Sequence, residues 1–343
     1  MMTGRGTLPT GAAGGPARHI PVLLSEALDA LGPRDGGIYL DGTFGAGGYA
    51  RAILDAANCI VIAVDRDGEA IRAGHELAER FPDRLTLVEG SFGDLAELTE
   101  AQGVDLLDGV VLDLGVSSMQ LDTPERGFSF AHDGPLDMRM SQAGPSAADA
   151  VNSLAEQDLA RVIAVLGEER RARAIARAIV RARADGPITR TAELADLVVS
   201  VLGPRRGAAT HPATRTFQAF RIYVNGELDE LASGLIAAEH KLPEGGRLVV
   251  VTFHSLEDRI VKRFFVERAA PPRQPSRHRP ASEDQALDPS FRLITRRPLR
   301  PSPQEVAENS RARSARLRAG ERTGAAAFPG DVSALGLPML AGA

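Results

Sequence analysis

The sequence predicts an α/β protein: a parallel sheet with helices on its faces, interrupted by an inserted all-helical subdomain. Three observations carry this. Apolar runs alternate with helical patterns between Ile38 and Leu112. Four successive runs end next to a residue able to touch a ligand, namely Asp41, Asp65, Phe92 and Asp113. Ligands of open parallel sheets bind at those carboxyl ends. The alternation then stops near Leu121 and resumes only at Arg247.

Residues 1–17 are rich in Gly and Ala and are expected to form a disordered tail. An amphipathic helix follows with Ala27, Leu28 and Leu31 on one face. Residues 38–40 read as a strand, the glycines from Gly42 to Gly48 as a tight turn, and Ala50, Ile53, Leu54 and Ala57 as the inner side of a helix. A second strand at 60–64 completes one βαβ unit, closed by Asp65. Next come a helix at 67–81, a strand at 85–88, a helix at 95–101 and a strand at 110–112. Helical patterns at 156–166, 168–183 and 191–202 occupy the insertion, with Pro187 and Pro204 as breaks. One long helix at 217–242, a strand at 247–253 and a helix at 256–267 bring the sheet back. Residues 270–290 are rich in Pro, Arg and Ser and read as a mobile loop. The last strands are expected at 292–295 and 315–318, and a disordered tail at 324–343. The sheet domain is thus discontinuous, 18–120 with 216–323, around an insertion at 121–215.

The stretch from Gly37 to Asp65 sets the chemistry. Glycines after the first strand let the backbone approach a ligand closely. An acid at the tip of the second strand, roughly 20 residues later, suits the two hydroxyls of a ribose. Gly45-x-Gly47-x-x-Ala50 also fits a dinucleotide fingerprint, so an NAD-dependent dehydrogenase is one alternative. Asp41 argues against it. A carboxylate there repels a pyrophosphate and attracts a cationic ligand such as a sulfonium. The bland alternative is that Asp41 only caps the turn.

The chain has 343 residues and a formal net charge of −5, so a nucleic-acid partner must be met by a local basic patch. Its single cysteine, Cys59, sits in an apolar strand, which leaves no internal disulfide and no cysteine metal cluster. No metal is expected. No apolar run approaches a membrane span, and the N-terminus lacks the apolar core of a leader peptide. A cytoplasmic protein with no membrane partner is expected.

The text of several blocks is specific. It includes Asp41-Gly-Thr-Phe-Gly-x-Gly-Gly, Asp113-Leu-Gly-Val-Ser-Ser, Arg126-Gly-Phe-Ser-Phe, Gly134-Pro-Leu-Asp-Met-Arg-Met, Gly167-Glu-Glu-Arg, His211-Pro-Ala-Thr-Arg-Thr-Phe-Gln, Phe253-His-Ser-Leu-Glu-Asp-Arg and Glu308-Asn-x-Arg-Ala-Arg-Ser. From about His19 to Thr323 the chain resembles the bacterial 16S rRNA (cytosine-N4)-methyltransferases. Tyr49, Met119 and Ser310 depart from the family's usual His, Pro and Pro. The resemblance implies a Rossmann-like class I methyltransferase sheet with an inserted helical subdomain. It also implies methyl transfer from S-adenosyl-L-methionine to N4 of a decoding-centre cytidine. The implied partner is 16S rRNA in the small ribosomal subunit, and the oligomeric state is left open, a homodimer included.

Position by position, the resemblance implies cofactor contacts at Gly47, Gly48, Tyr49, Asp65, Phe92, Asp113 and Gln120, to which the charge argument adds Asp41. Attack by an exocyclic amine needs an acceptor beside the sulfonium. The candidates are Asp113 and the pair His254 and Ser255. His254 can equally cap the helix that starts near Ser255. The loops carrying Arg126, Asp137 and Arg139 are expected to line the RNA approach, or Asp137 and Arg139 merely pair with each other. In the 168–183 helix, Arg170, Arg173, Arg177 and Arg181 fall within an arc of about 80°. Arg173 and Arg177 are the residues expected on rRNA phosphates, a solvated surface face being the alternative. A non-catalytic ribosome-assembly factor of the same fold is the remaining rival.

Overall fold

The computed structural model describes residues 21–204, 211–270 and 287–340. A short helix, α1 (Leu24–Leu31), precedes the sheet. Five parallel strands alternate with helices: β1 (Ile38–Asp41), α2 (Gly48–Ala56), β2 (Ile60–Asp65), α3 (Gly68–Arg80), β3 (Leu85–Glu89), α4 (Leu95–Ala101) and β4 (Gly109–Asp113). The fifth, β5 (Arg247–Thr252), arrives only after the insertion. Helix α12 (Ser255–Ala269), β6 (Phe291–Leu293), α13 (Pro303–Glu308) and β7 (Arg316–Arg322) complete the sheet domain. The strand order is β3-β2-β1-β4-β5-β7-β6, with β6 and β7 antiparallel to their neighbours. The predicted α/β sheet is therefore present, in a Rossmann-like arrangement.

Both faces of the sheet are buried, and the strand period explains how. Successive side chains point to opposite faces. Leu40, Ile62, Val64, Val110, Leu112, Leu248 and Val250 enter one core. Their neighbours Tyr39, Val61, Ala63, Val111, Val249 and Val251 enter the other, with α1 and α2. Near-continuous apolar strands are what a two-sided parallel sheet requires.

Between β4 and β5 lie a one-turn helix, α5 (Ser118–Asp122), then α6 (Ala147–Ser153), α7 (Glu156–Val165), α8 (Ala172–Asp185) and α9 (Thr191–Leu202). They share one continuous core with the Leu40 face of the sheet. On α8, Ala172, Ile175, Ala176 and Ile179 are buried, as the periodicity predicts.

Four expectations need correction. The long helix at 217–242 is two, α10 (Thr214–Asn225) and α11 (Glu227–Lys241). Gly226 breaks them with φ 61°, a left-handed value that suits glycine. Helix α10 packs on α6 and α7, so the helical layer extends past Arg215. Helix α8 starts at Ala172 rather than Glu168, whose φ is +49°. The tail expected to be disordered from Gly324 is packed instead: the Phe328 N–H donates to Glu239, Arg268 lies 5.2 Å above the Phe328 ring, and Leu335 is buried. The expected N-terminal tail and most of the 270–290 loop lie outside the described residues. Ser290, at the loop's end, is fully buried and donates to Glu239.

Candidate active site

A cavity of about 1260 Å³, counting its open mouth, lies at the carboxyl ends of β1, β2 and β4. The turn after β1 forms its floor. Gly45 adopts φ +53° and its N–H donates to Asp65 Oδ2 at 2.7 Å. The Asp67 N–H donates to Asp65 Oδ1 at 2.8 Å. The Asp65 carboxylate is therefore held by one backbone donor per oxygen, with a lone pair left on each. Burial pushes its pKa up, against the effect of those two bonds.

The two aspartates at the centre differ. Asp41 is fully buried and absent from the cavity wall. Its Oδ1 accepts the Thr43 N–H at 3.2 Å and its Oδ2 the Ala50 N–H at 3.0 Å. It caps the turn and the start of α2, which corrects the expectation that it faces the ligand. Burial pushes its pKa up to about 7. Asp113 lies on the cavity wall. Its Oδ1 is buried and has no hydrogen-bond partner. Burial, then the charges of Asp41 and Glu257, push its pKa well above the usual carboxylate range. An unpaired acceptor kept out of water is costly, and the carboxylate that carries it borders the cavity.

Among the other expected residues, Gly48, Tyr49, Phe92 and Gln120 reach the cavity and Gly47 does not. Gly47 has φ +76°, and a Cβ there would lie 2.7 Å from Leu77 and 2.9 Å from Phe44. It serves the turn and its packing. The Tyr49 hydroxyl donates to the Val22 carbonyl, pinning the segment before α1 against the glycine turn. The Gln120 Nε2 donates to Asp67 Oδ2 at 2.8 Å.

The second catalytic set is not on the cavity wall. His254 Nδ1 accepts the Glu257 N–H at 3.3 Å and caps α12, as its capping alternative requires. A neutral imidazole accepting at Nδ1 carries its proton on Nε2. That Nε2 lies 3.0 Å from Glu257 Oε1 but outside hydrogen-bond geometry. The Ser255 hydroxyl donates to Glu168, which also pairs with Arg259 at 3.0 Å. Glu227, His254 and Glu257 come within 4.8 Å of one another, a spacing that can hold a cation. Arg221 already supplies that charge, with two bonds to Glu227 at 2.8 and 2.7 Å. Burial opposes the Glu257 charge, but His254 and Arg221 outweigh it and hold its pKa below the usual range.

Arg126 turns inward, not toward an RNA path. Its guanidinium pairs with Asp67 at 2.7 Å and Glu69 at 3.0 Å, and donates to the carbonyls of Arg139 and Met140 at 3.1 and 2.9 Å. Asp137 and Arg139 pair at 2.6 Å, as their alternative has it. Arg173 and Arg177 are exposed, and Glu156 of α7 lies 3.8 Å from Arg177.

Several residues of the wall escaped the sequence. Arg66 donates to Glu230 at 2.7 Å and to the Asn225 carbonyl at 2.8 Å. Asn225 in turn accepts from the Met140 N–H at 2.8 Å, placing Met140 on the wall. Arg311 bonds Ser118 and Asp122 at the rim at 2.6 and 2.7 Å. Arg66 follows Asp65 directly, and Arg311 lies in a quoted block. Those positions were the available signal.

The MraW methylase family matches residues 16–323. A protein of Parvibaculum lavamentivorans named ribosomal RNA small subunit methyltransferase H is 60% identical over 318 residues, covering 93% of each chain. One of the same name from Azorhizobium caulinodans is 60% identical over 336 residues, covering 98% of this chain and 96% of the relative. With a family match over most of its length and relatives 60% identical across nearly the whole chain, the chain belongs to the MraW methylase family.

Proposed function

We propose that this chain transfers a methyl group from S-adenosyl-L-methionine to N4 of a decoding-centre cytidine in 16S rRNA. The observation that carries the reading is the Asp113 carboxylate, half-buried with an unpaired Oδ1, on the wall of the cavity that Asp65 also lines. The residues fit the cofactor. Asp65 has acceptor capacity for ribose hydroxyls, Phe92 offers an apolar face to adenine, and Gly45 and Gly48 admit a close backbone approach. When bound, the cofactor supplies a methyl already activated on sulfonium sulfur.

The chain supplies position and a proton acceptor. A cation in the cavity favours the charged form of Asp113. The ionised carboxylate accepts an N–H of the cytosine amino group, turning the nitrogen lone pair out of conjugation. Methylation of the amino nitrogen would release one proton, and Asp113 would take it. Of the three catalytic candidates it alone lines the cavity. The target base lies in folded RNA and must leave its stack to reach that depth. Arginines on the exposed face of α8 supply phosphate contacts. Such a substrate places the protein in the cytoplasm, and no helix among the described residues is long and apolar enough to cross a membrane.

The test is labelled methyl transfer to small ribosomal subunits from cells lacking the activity, followed by nucleoside analysis. The expected product is N4-methylcytidine. Label in another nucleoside, or none, overturns the reading.

A further inference from the structure

We infer that Phe130 and His211 form a stacking platform for an unpaired RNA base that flanks the target. The inference rests on reading the chain as an rRNA methyltransferase. Phe217 on α10 is buried in the core. Phe130 meets it edge-on, with ring centroids 4.9 Å apart at 78°. His211 lies over Phe130 at 4.6 Å and 30°, and it is exposed. Three rings thus run from the core to the surface, and the outermost meets solvent.

The outer ring is held in place. His211 Nδ1 accepts the Ala213 N–H at 3.2 Å. That bond sets the ring plane and leaves the proton of the neutral imidazole on Nε2. Phe130 covers one face, so the exposure falls on the other face and the edge. A ring already immobilised loses little entropy when it binds. A flat aromatic face with an in-plane donor matches an unstacked base, which single-stranded RNA offers and duplexes do not.

The surroundings and the spacing agree. Arg215, the second residue of α10, is exposed, and its guanidinium donates to the Glu168 carbonyl at 3.3 Å, which leaves a positive charge at the surface four residues after His211. Helix α10 has 12 residues, which makes it about 18 Å long. Its far end reaches the cavity through Asn225 and Glu227. At about 3.4 Å per stacked nucleotide, the platform takes a base no more than about five nucleotides from the target. The transfer chemistry uses neither ring, so the platform sets which RNA is held.

The test titrates the full chain into a short single-stranded RNA of the target sequence, with 2-aminopurine placed at each flanking position in turn. One position should be quenched by stacking. His211→Ala should abolish that quench and weaken RNA binding about 5- to 150-fold, the range for one stacked base. His211→Tyr should recover a clear part of both, since it keeps the ring but not the bond from the Ala213 N–H. Cofactor affinity and the salt dependence of RNA binding should match the parent, because no phosphate contact is lost. The proposal is overturned if His211→Ala binds RNA as tightly as the parent. It is equally overturned if His211→Tyr fails like the alanine variant and the salt slope falls. Binding is read apart from methyl transfer, so label on ribosomal subunits decides the functional reading and His211→Ala decides the platform.

Discussion

The tips of β1 and β4 are neighbours in the sheet, and each ends in an aspartate, Asp41 fully buried and Asp113 half-buried on the cavity wall. The two regions are nonetheless built for different ends. At the β1 tip both carboxylate oxygens accept backbone N–H groups, so Asp41 holds a turn and a helix start. At the β4 tip the Asp113 N–H is taken by Thr43 at 2.7 Å while Oδ1 meets no donor. Burial raises both acids, so burial does not separate structure from chemistry. The unmet hydrogen bond does.

The comparison breaks most readily at Asp113. Asp113→Asn keeps the shape and removes the proton acceptor. It should lower kcat by about 100-fold or more, with a smaller change in cofactor Kd. Asp41→Asn should instead lower stability and leave turnover per folded molecule close to the parent. Equal turnover losses in both variants, at matched folded fraction, would erase the distinction.

Asp65 lies between the two cases, braced by the backbone yet exposed to the cavity. Losing hydrogen bonds to a charged acceptor is worth roughly 1.5–3 kcal/mol. Asp65→Ala should therefore weaken S-adenosyl-L-methionine binding about 10- to 100-fold. Calorimetry showing parental affinity would remove Asp65 from the site.

A pH series sharpens the contrast further. Asp41 is raised from 3.8 to about 7 in the folded chain. The folded state thus holds a proton that the unfolded state releases, so stability is greatest below pH 4 from this group and falls as pH rises toward 7. The decline in melting temperature across that window should shrink in Asp41→Asn, and an unchanged slope would argue that Asp41 is ionised throughout. Asp113 acts on rate with the opposite sign. Activity should rise with pH as the acceptor ionises, and the Asp113→Asn remnant should not follow it.

The smallest expected effect lies on α8. Arg173 has no ion pair among the described residues, whereas Arg177 has Glu156 at 3.8 Å. Arg173→Ala should reduce the salt slope of RNA binding by roughly 0.7–0.9 log units, and Arg177→Ala by less. Parental slopes in both would make the stripe a solvated surface.

What could be read from the chain alone was whatever repeats locally. Apolar runs located all seven strands, the last two with shifted ends, and the turn after Leu40, the acid at Asp65 and the buried side of α8 followed from spacing. The quoted blocks identified the family. Partner choice is not local. Arg126 reads like an RNA contact until the fold brings it to Asp67, 59 residues away. Arg66 acquires its role from Glu230, 164 residues on. The single long helix divides at Gly226, and the last residue before the break, Asn225, bonds the Met138 carbonyl and the Met140 N–H, 87 and 85 residues back. Identical side chains at Asp41 and Asp113 were both candidates for cofactor contact in the sequence. Only tertiary structure decides which finds its donors, because a hydrogen bond depends on distance and angle, and folding sets both between residues that the sequence keeps apart.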